Sequence, residues 1–415
     1  MMRRVFFQLA IGLAFVLLSA CAAEESKELK ILERVDVLDQ LAREPMLAEH
    51  PSGDLYVTGY RNASTAPQLW RSEDRGTTWN RVDVGRMEDG AHGNSDVDLV
   101  IDDQGNIYFL TMKFTTIPED TANFDWDMKG EHIAIGVSPD EGQSWTWTYL
   151  SQNEYDDRPW VEIASDGSVH VIWNDGRGVH YVVSEDEGQT WQERPDLHRK
   201  GGSSHFVAGP NRLLAARIVP MSASGLEFDK GVDIIRISDD AGKTWRDIPV
   251  PGNQEWEPFD KATLPRWVEP MAWDGQGKLY YLWSEGPVLK LGVTANLGES
   301  WEEYVIDETD GLCYFPYLSV KHAQMGLTWV TEGASGIHHH AAVASLDNEH
   351  FAVTKLHPQK LVDLRERSGG PSLSTGGEYY PLIPLSDGHF GMATTIQNYP
   401  DNRLGFTWWR LGIEQ

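Results

Sequence analysis

Ser72-Glu73-Asp74-Arg75-Gly76-Thr77-Thr78-Trp79 is the first of five copies of one octapeptide. The pattern Ser-x-Asp-x-Gly-x-Ser/Thr-Trp returns at residues 138–145, 184–191 and 238–245. A looser copy, with Thr294 and Asn296 in place of Ser and Asp, spans residues 294–301. Successive copies begin 66, 46, 54 and 56 residues apart. The residue types suit a tight turn between strands. Asp and Ser/Thr side chains bond nearby backbone donors, Gly takes a positive φ, and Trp covers the turn from its apolar side.

A second kind of punctuation runs through the whole chain. Turn residues flanked by short Val-, Ile-, Tyr- and Trp-rich runs occur at residues 52–56, 105–108, 166–169, 210–213, 277–280, 325–327 and 387–390. Each reads as a hairpin of adjacent antiparallel strands. Seven hairpins predict a seven-bladed all-β propeller, with six blades as the alternative. The blades begin near residues 44, 95, 158, 204, 267, 314 and 378. Residues 378–411 supply only three strands and residues 29–38 one more, so an N-terminal strand is expected to complete the last blade and close the ring. Blades six and seven lack the octapeptide, and residues 356–375 read as an irregular insertion. Residues 29–415 form one domain on this reading.

Composition removes several function classes. The chain has 415 residues, 63 Asp+Glu against 35 Lys+Arg, a net charge of −28 and 17 Trp. A balance this acidic excludes a nucleic-acid backbone as partner. Its 40% hydrophobic content excludes a disordered chain, and a mean hydropathy of −0.42 excludes a multi-span membrane protein. Two Cys build no disulfide framework.

Residues 1–20 read as an address. Arg3 and Arg4 precede an apolar run over residues 5–18 that is too short to span a bilayer. Leu18-Ser19-Ala20-Cys21 resembles the lipobox of bacterial lipoproteins. It implies acylation at Cys21, a tether over residues 21–28 and a place at the cell envelope. Loss of Arg3 and Arg4 takes the charge from −28 to −30. Cys313 is then a lone thiol, read as a buried apolar residue.

In a propeller the starts of the innermost strands and the loops after the second strands open on one face, with the octapeptide turns on the other. The first face carries Arg43, His92, Asp96, Asp157, Arg158, His205, Arg266, Glu269, Tyr314, Glu378, Tyr379 and Tyr380. Its loops add Arg61, Asn174, Asp175, Arg177, Arg217, Glu285, Glu332 and Arg403. So many arginines on one face predict a local cationic cup for a carboxylated or sulfated ligand. No metal or cofactor is expected. His338-His339-His340 alternates across a strand, and no EF-hand spacing supports Ca²⁺. Of the Trp residues, Trp160, Trp173, Trp267 and Trp283 are read mainly as core between blades, with one or two stacking on a sugar.

The octapeptide resembles the Asp box, or BNR repeat, of sialidase-type propellers, and the resemblance covers nearly the whole chain after the leader. It implies an exo-acting glycoside hydrolase of acidic glycans, a monomer, with arginines on the substrate carboxylate and a Tyr nucleophile. Arg43-Glu44-Pro45 is similar to the family's first arginine element, Arg217 to its second arginine, and Tyr314 to its nucleophile, whose proton a Glu takes. Three features depart. No carboxylate lies within residues 60–68, where an acid/base Asp is expected. Ser204 and His205 stand where a Glu is expected, and only Lys290 lies near the third arginine's place. His92 or His205 with Tyr and Arg partners would instead suit β-elimination of a uronate, as in the ulvan lyases that this arrangement also resembles. A non-catalytic glycan-binding or assembly propeller is the third reading.

Overall fold

In the computed structural model each octapeptide closes on itself in the same way. The model describes residues 28–61, 66–114, 130–175, 178–220, 231–252, 269–334, 336–346, 353–355, 378–398 and 403–414. Asp74 Oδ1 accepts from Ser72 Oγ at 2.9 Å and from the Thr78 amide at 2.8 Å, and Gly76 N donates to Ser72 Oγ at 2.7 Å. The same three bonds recur around Asp140, Asp186 and Asp240. These donors, with the hydroxyls of Ser or Thr, hold all four Asp carboxyls below their ordinary range. Asn296 builds the fifth turn without a charge.

The glycine of each turn is also a point of close approach to the preceding blade. Gly242 has φ +76°, and a Cβ there would lie 1.9 Å from Tyr181 Oη. Gly242→Ala is expected to lower stability by about 2–4 kcal/mol, the sum of left-handed strain and overpacking. A reduced urea midpoint at unchanged slope would show it.

The strands form seven four-stranded antiparallel sheets, the blades of a seven-bladed β-propeller. We letter the strands A to D from the axis to the rim. The A strands of blades one to seven touch in succession around the axis, and blade seven meets strand A of blade one through its second strand, Phe390–Asn398. Blade one has Arg43–Glu49 as strand A and Leu55–Tyr60 as strand B. The A strands of blades two to seven are Val97–Ile101, Asp157–Ile163, Gly202–Ala208, Met271–Trp273, Leu312–Lys321 and Leu382–Pro384. Strand D of blade seven is the N-terminal Glu28–Leu38, paired along its length with Arg403–Glu414. The ring closes as the sequence predicted.

Seven apolar layers lie between successive blades, and burial there holds the ring together. The octapeptide tryptophans serve these layers. Trp79, Trp145, Trp191, Trp245 and Trp301 each pack into the layer shared with the blade before their own. Residues 1–27, with the expected leader, Cys21 and most of the tether, lie outside the described residues, as does the expected insertion at 356–375.

Candidate active site

Three A strands begin with the same irregularity. Arg43-Glu44-Pro45, Asp157-Arg158-Pro159 and Tyr314-Phe315-Pro316 each place a non-glycine residue at positive φ before a proline: 47° at Glu44, 52° at Arg158 and 45° at Phe315. A residue before proline normally stays extended, so each such site stores about 1–3 kcal/mol of strain. Pairing with strand B skips at the same points, from Arg43 to Met46, Asp157 to Trp160 and Tyr314 to Tyr317. These are bulges, which re-aim the side chains around them.

In blades one and three the bulges help to build a charged cluster at the mouth of the central channel. Arg43 and Glu44 come from blade one, Asp96 from blade two, Asp157 and Arg158 from blade three, and Glu378 from blade seven. These blades are consecutive around the ring. Glu44 is buried, interacts with Asp96, Glu378 and Arg43, and hydrogen-bonds Tyr60. Burial, then Asp96 and Glu378, hold its carboxyl well above the usual range. Burial pushes Asp157 and Glu378 up to about 7, with Arg158 pulling each back and Asp96 adding to the rise. Asp96 is raised by the same cause and accepts from Ser95 Oγ at 3.3 Å. Arg158 Nε lies 3.5 Å from Asp157 Oδ2, and Arg43 sits over the Tyr60 ring at 5.6 Å. Four carboxylates thus face two guanidiniums, so the cluster retains protons near neutrality. Asp96, Asp157 and Glu378 are partly exposed, while Arg43, Glu44 and Arg158 are buried.

Trp160 lies beneath this cluster. Its ring meets His205 of blade four edge-on at 4.9 Å and Tyr379 at the start of blade seven at 5.4 Å. Blades three and seven are not neighbours, so the second contact crosses the channel axis. Further along the same strands lie Asp98 and Glu162. Asp98 accepts from the Val161 amide at 2.9 Å and the Leu99 amide at 2.8 Å, and burial pushes it up to about 7. Tyr379 feels Asp96, Glu378 and Glu44, whereas Tyr317 feels Asp98 and Glu162. Two sets of charges therefore flank Trp160.

Several residues expected at the site stand elsewhere. Arg217 is fully buried between blades four and five, not presented to a ligand. It donates to Asp233 Oδ2 from Nε at 3.0 Å, to Glu269 Oε2 at 2.8 Å and to Ser204 Oγ at 2.5 Å. Glu269, also buried, accepts from Tyr281 Oη as well. His205 cannot serve as the expected base. Its Nδ1 accepts from the Met271 amide at 3.2 Å, which leaves the proton on Nε2, and burial with Arg217 nearby pushes it down to about 3. His92 packs on His132 at 4.9 Å; burial, then Lys113 and His132, push it down to about 4. Glu285 accepts from Trp283 Nε1 at 3.0 Å and pairs with Lys290 at 2.7 Å. The expected cationic cup is thus a mixed cluster, because Arg217 is spent inside the fold and Arg43 and Arg158 sit among carboxylates.

Tyr314 is buried and hydrogen-bonds Glu332; burial, then that carboxylate, push its phenol up to about 12. Tyr380 packs beneath the edge of the buried His339 at 4.4 Å, in the layer that holds Tyr314, Phe315 and Val330. Arg61 is half-buried at the end of strand B of blade one. Arg177 and Arg266 lie outside the described residues. Glu44 and Tyr60 were not anticipated; the shared x-x-Pro beginnings of the A strands were the available signal. Among the described residues, no three His, Cys, Asp or Glu side chains are grouped to hold a metal ion.

No protein-family model matches the chain, and neither does any curated protein. Solved structures do. The Hadza microbial sialidase Hz136 aligns at a TM-score of 0.44 and 15% identity, over 69% of this chain and 63% of that one. The Trypanosoma rangeli sialidase in complex with the inhibitor DANA aligns at 0.45 and 15%, over 74% of this chain and 55% of that one. The chain therefore spans less than two thirds of the length of either sialidase. YCF48 bound to D1 peptide aligns at 0.49 and 14%, over 91% of this chain and 94% of that one. Likenesses this distant carry no argument about chemistry, which has to rest on the residues at the channel mouth.

Proposed function

We propose that the protein is a glycoside hydrolase acting on the end of an acidic glycan, with its site at the channel mouth. One observation carries this reading: four carboxyl groups with raised proton affinity and two arginines converge there on bulged strands. A carboxyl that keeps its proton near neutrality suits the general acid that protonates the glycosidic oxygen. Asp157 and Glu378 have that property. Asp96, also at the mouth, would accept the proton of the attacking water. Arg43 and Arg158 would hold the carboxylate of the sugar. Strain at Glu44 and Arg158 is the cost of holding the cluster in place.

The Tyr314–Glu332 contact favours a second reading within the same class, the sialidase-like one. There Tyr314 displaces the glycosidic oxygen from the sugar carbon while Glu332 takes the phenol proton and Asp157 or Glu378 gives one to the leaving oxygen, and water then cleaves the tyrosyl–sugar bond. If so, Tyr314→Phe loses about 10³-fold or more in kcat; within threefold of wild type, the carboxylates stand alone. Elimination is the weaker reading, because burial lowers the proton affinity of His205 and His92 below that of an effective base and raises the phenols of Tyr60 and Tyr379 well above it.

The direct test is turnover of 4-methylumbelliferyl sialoside and glucuronide beside a uronate polymer. Release of the fluorophore without ultraviolet-absorbing unsaturated product is expected. Unsaturated product would mean a lyase, and binding without turnover would mean a non-catalytic propeller. The reading includes an envelope address: Cys21→Ser is expected to move the protein from the membrane fraction to the soluble one.

A further inference from the structure

Trp160 combines two features that the proposed chemistry does not use. Its side chain is 4% exposed, and its indole N–H has no hydrogen-bond partner. A buried donor without an acceptor is destabilising. Trp191, Trp273, Trp301, Trp329 and Trp408 also lack an acceptor and, like Trp160, pack in layers between blades, but their layers hold no residue of a third blade. Trp160 instead reaches across the axis to Tyr379 directly below the charged mouth, with Met46 of blade one in the same apolar cluster. A ligand held by Arg43 and Arg158 would rest on this ring.

We propose that Trp160 is the floor of the substrate pocket and gives its indole N–H to an oxygen of the terminal acidic sugar. The pocket then admits a chain end and not a chain threaded along the axis. This rests on the glycan reading above and adds to it a contact residue and the reason for end-on action. Indole donors and apolar ring faces together suit a pyranose, whose hydroxyls and C–H faces alternate. Asp98 and Glu162 below the ring are thereby sealed from the substrate.

The test uses the full protein with ¹⁵N-labelled tryptophan. The indole resonance missing from Trp160→Phe identifies Trp160, with Trp160→Tyr serving if the first variant does not fold. N-acetylneuraminic acid and glucuronic acid are the probes. Saturable movement of that resonance by one of them is expected, with at least tenfold weaker binding of the same sugar by the variant. A Trp160 resonance that neither sugar moves overturns the proposal, and so does failure of both sugars to bind. The two readings separate cleanly. Movement of Trp160 with no hydrolysis of any glycoside keeps the floor and removes the hydrolase. Hydrolysis with an unmoved Trp160 resonance removes the floor and keeps the hydrolase.

Discussion

Asp157→Asn and Glu378→Gln are each expected to lower kcat by about 10²–10⁴-fold, the usual loss when a general acid is removed. Burial pushes both carboxyls up to about 7, and Asp96 stands close enough to affect each. They therefore titrate as a set, and the variant with the larger loss names the acid. The acid works only while protonated, so kcat/KM of the wild type should fall as pH rises through about 7. The variant lacking the acid should lose that limb. Stability supplies an independent check with a definite sign. In the folded ring both carboxyls still hold protons at pH values where the unfolded chain has released them. Their contribution is full at low pH and disappears as pH rises through about 7. The Asp157→Asn, Glu378→Gln double variant should therefore unfold later than wild type at about pH 8 and lose that margin near about pH 4. A variant less stable than wild type at both pH values would contradict the raised proton affinity.

Arg217→Met should destabilise the protein by about 3–5 kcal/mol, because it strands two carboxylates in the layer between blades four and five. Asp233 and Glu269 are both fully buried and both bonded to this guanidinium. Asp233 leads into strand C of blade four and Glu269 precedes strand A of blade five, so one side chain ties two blades. Chemical denaturation measures the loss. The folded fraction separates the two roles weighed for this arginine. A tie between blades leaves KM per folded molecule unchanged, whereas a substrate clamp raises it.

The contrast between Arg43 and Arg217 shows how far the sequence could be read. Both sit where the sialidase resemblance expects an arginine, and nothing local separates them. What differs is distant in the chain: Asp233 and Glu269 enclose Arg217, while Arg43 is joined by Asp96, Asp157 and Glu378. The architecture was legible because each octapeptide is a self-contained turn with bonds no longer than four residues in sequence. Five such units and seven hairpins count the blades without tertiary knowledge. The mouth cluster depends instead on side chains from four blades and on which of them hold protons, and burial decides that. Glu44 was hidden for a local reason. A residue before proline is expected to be extended, and its left-handed turn appears only once the bulge is seen.

The pairing of Glu28–Leu38 with Arg403–Glu414 has a kinetic consequence. Strand Glu28–Leu38 is made about 365 residues before the strand it pairs with, so its neighbour does not exist until almost the whole chain has been synthesised. Contacts between such distant segments form slowly, because the intervening loop must close first. Folding can proceed blade by blade from Arg43 onward, but the last blade is sealed by a strand that has remained solvated throughout. A chaperone or a growing partner that captured residues 28–38 during that interval would decide whether a ring or an open, sticky arc leaves the folding machinery.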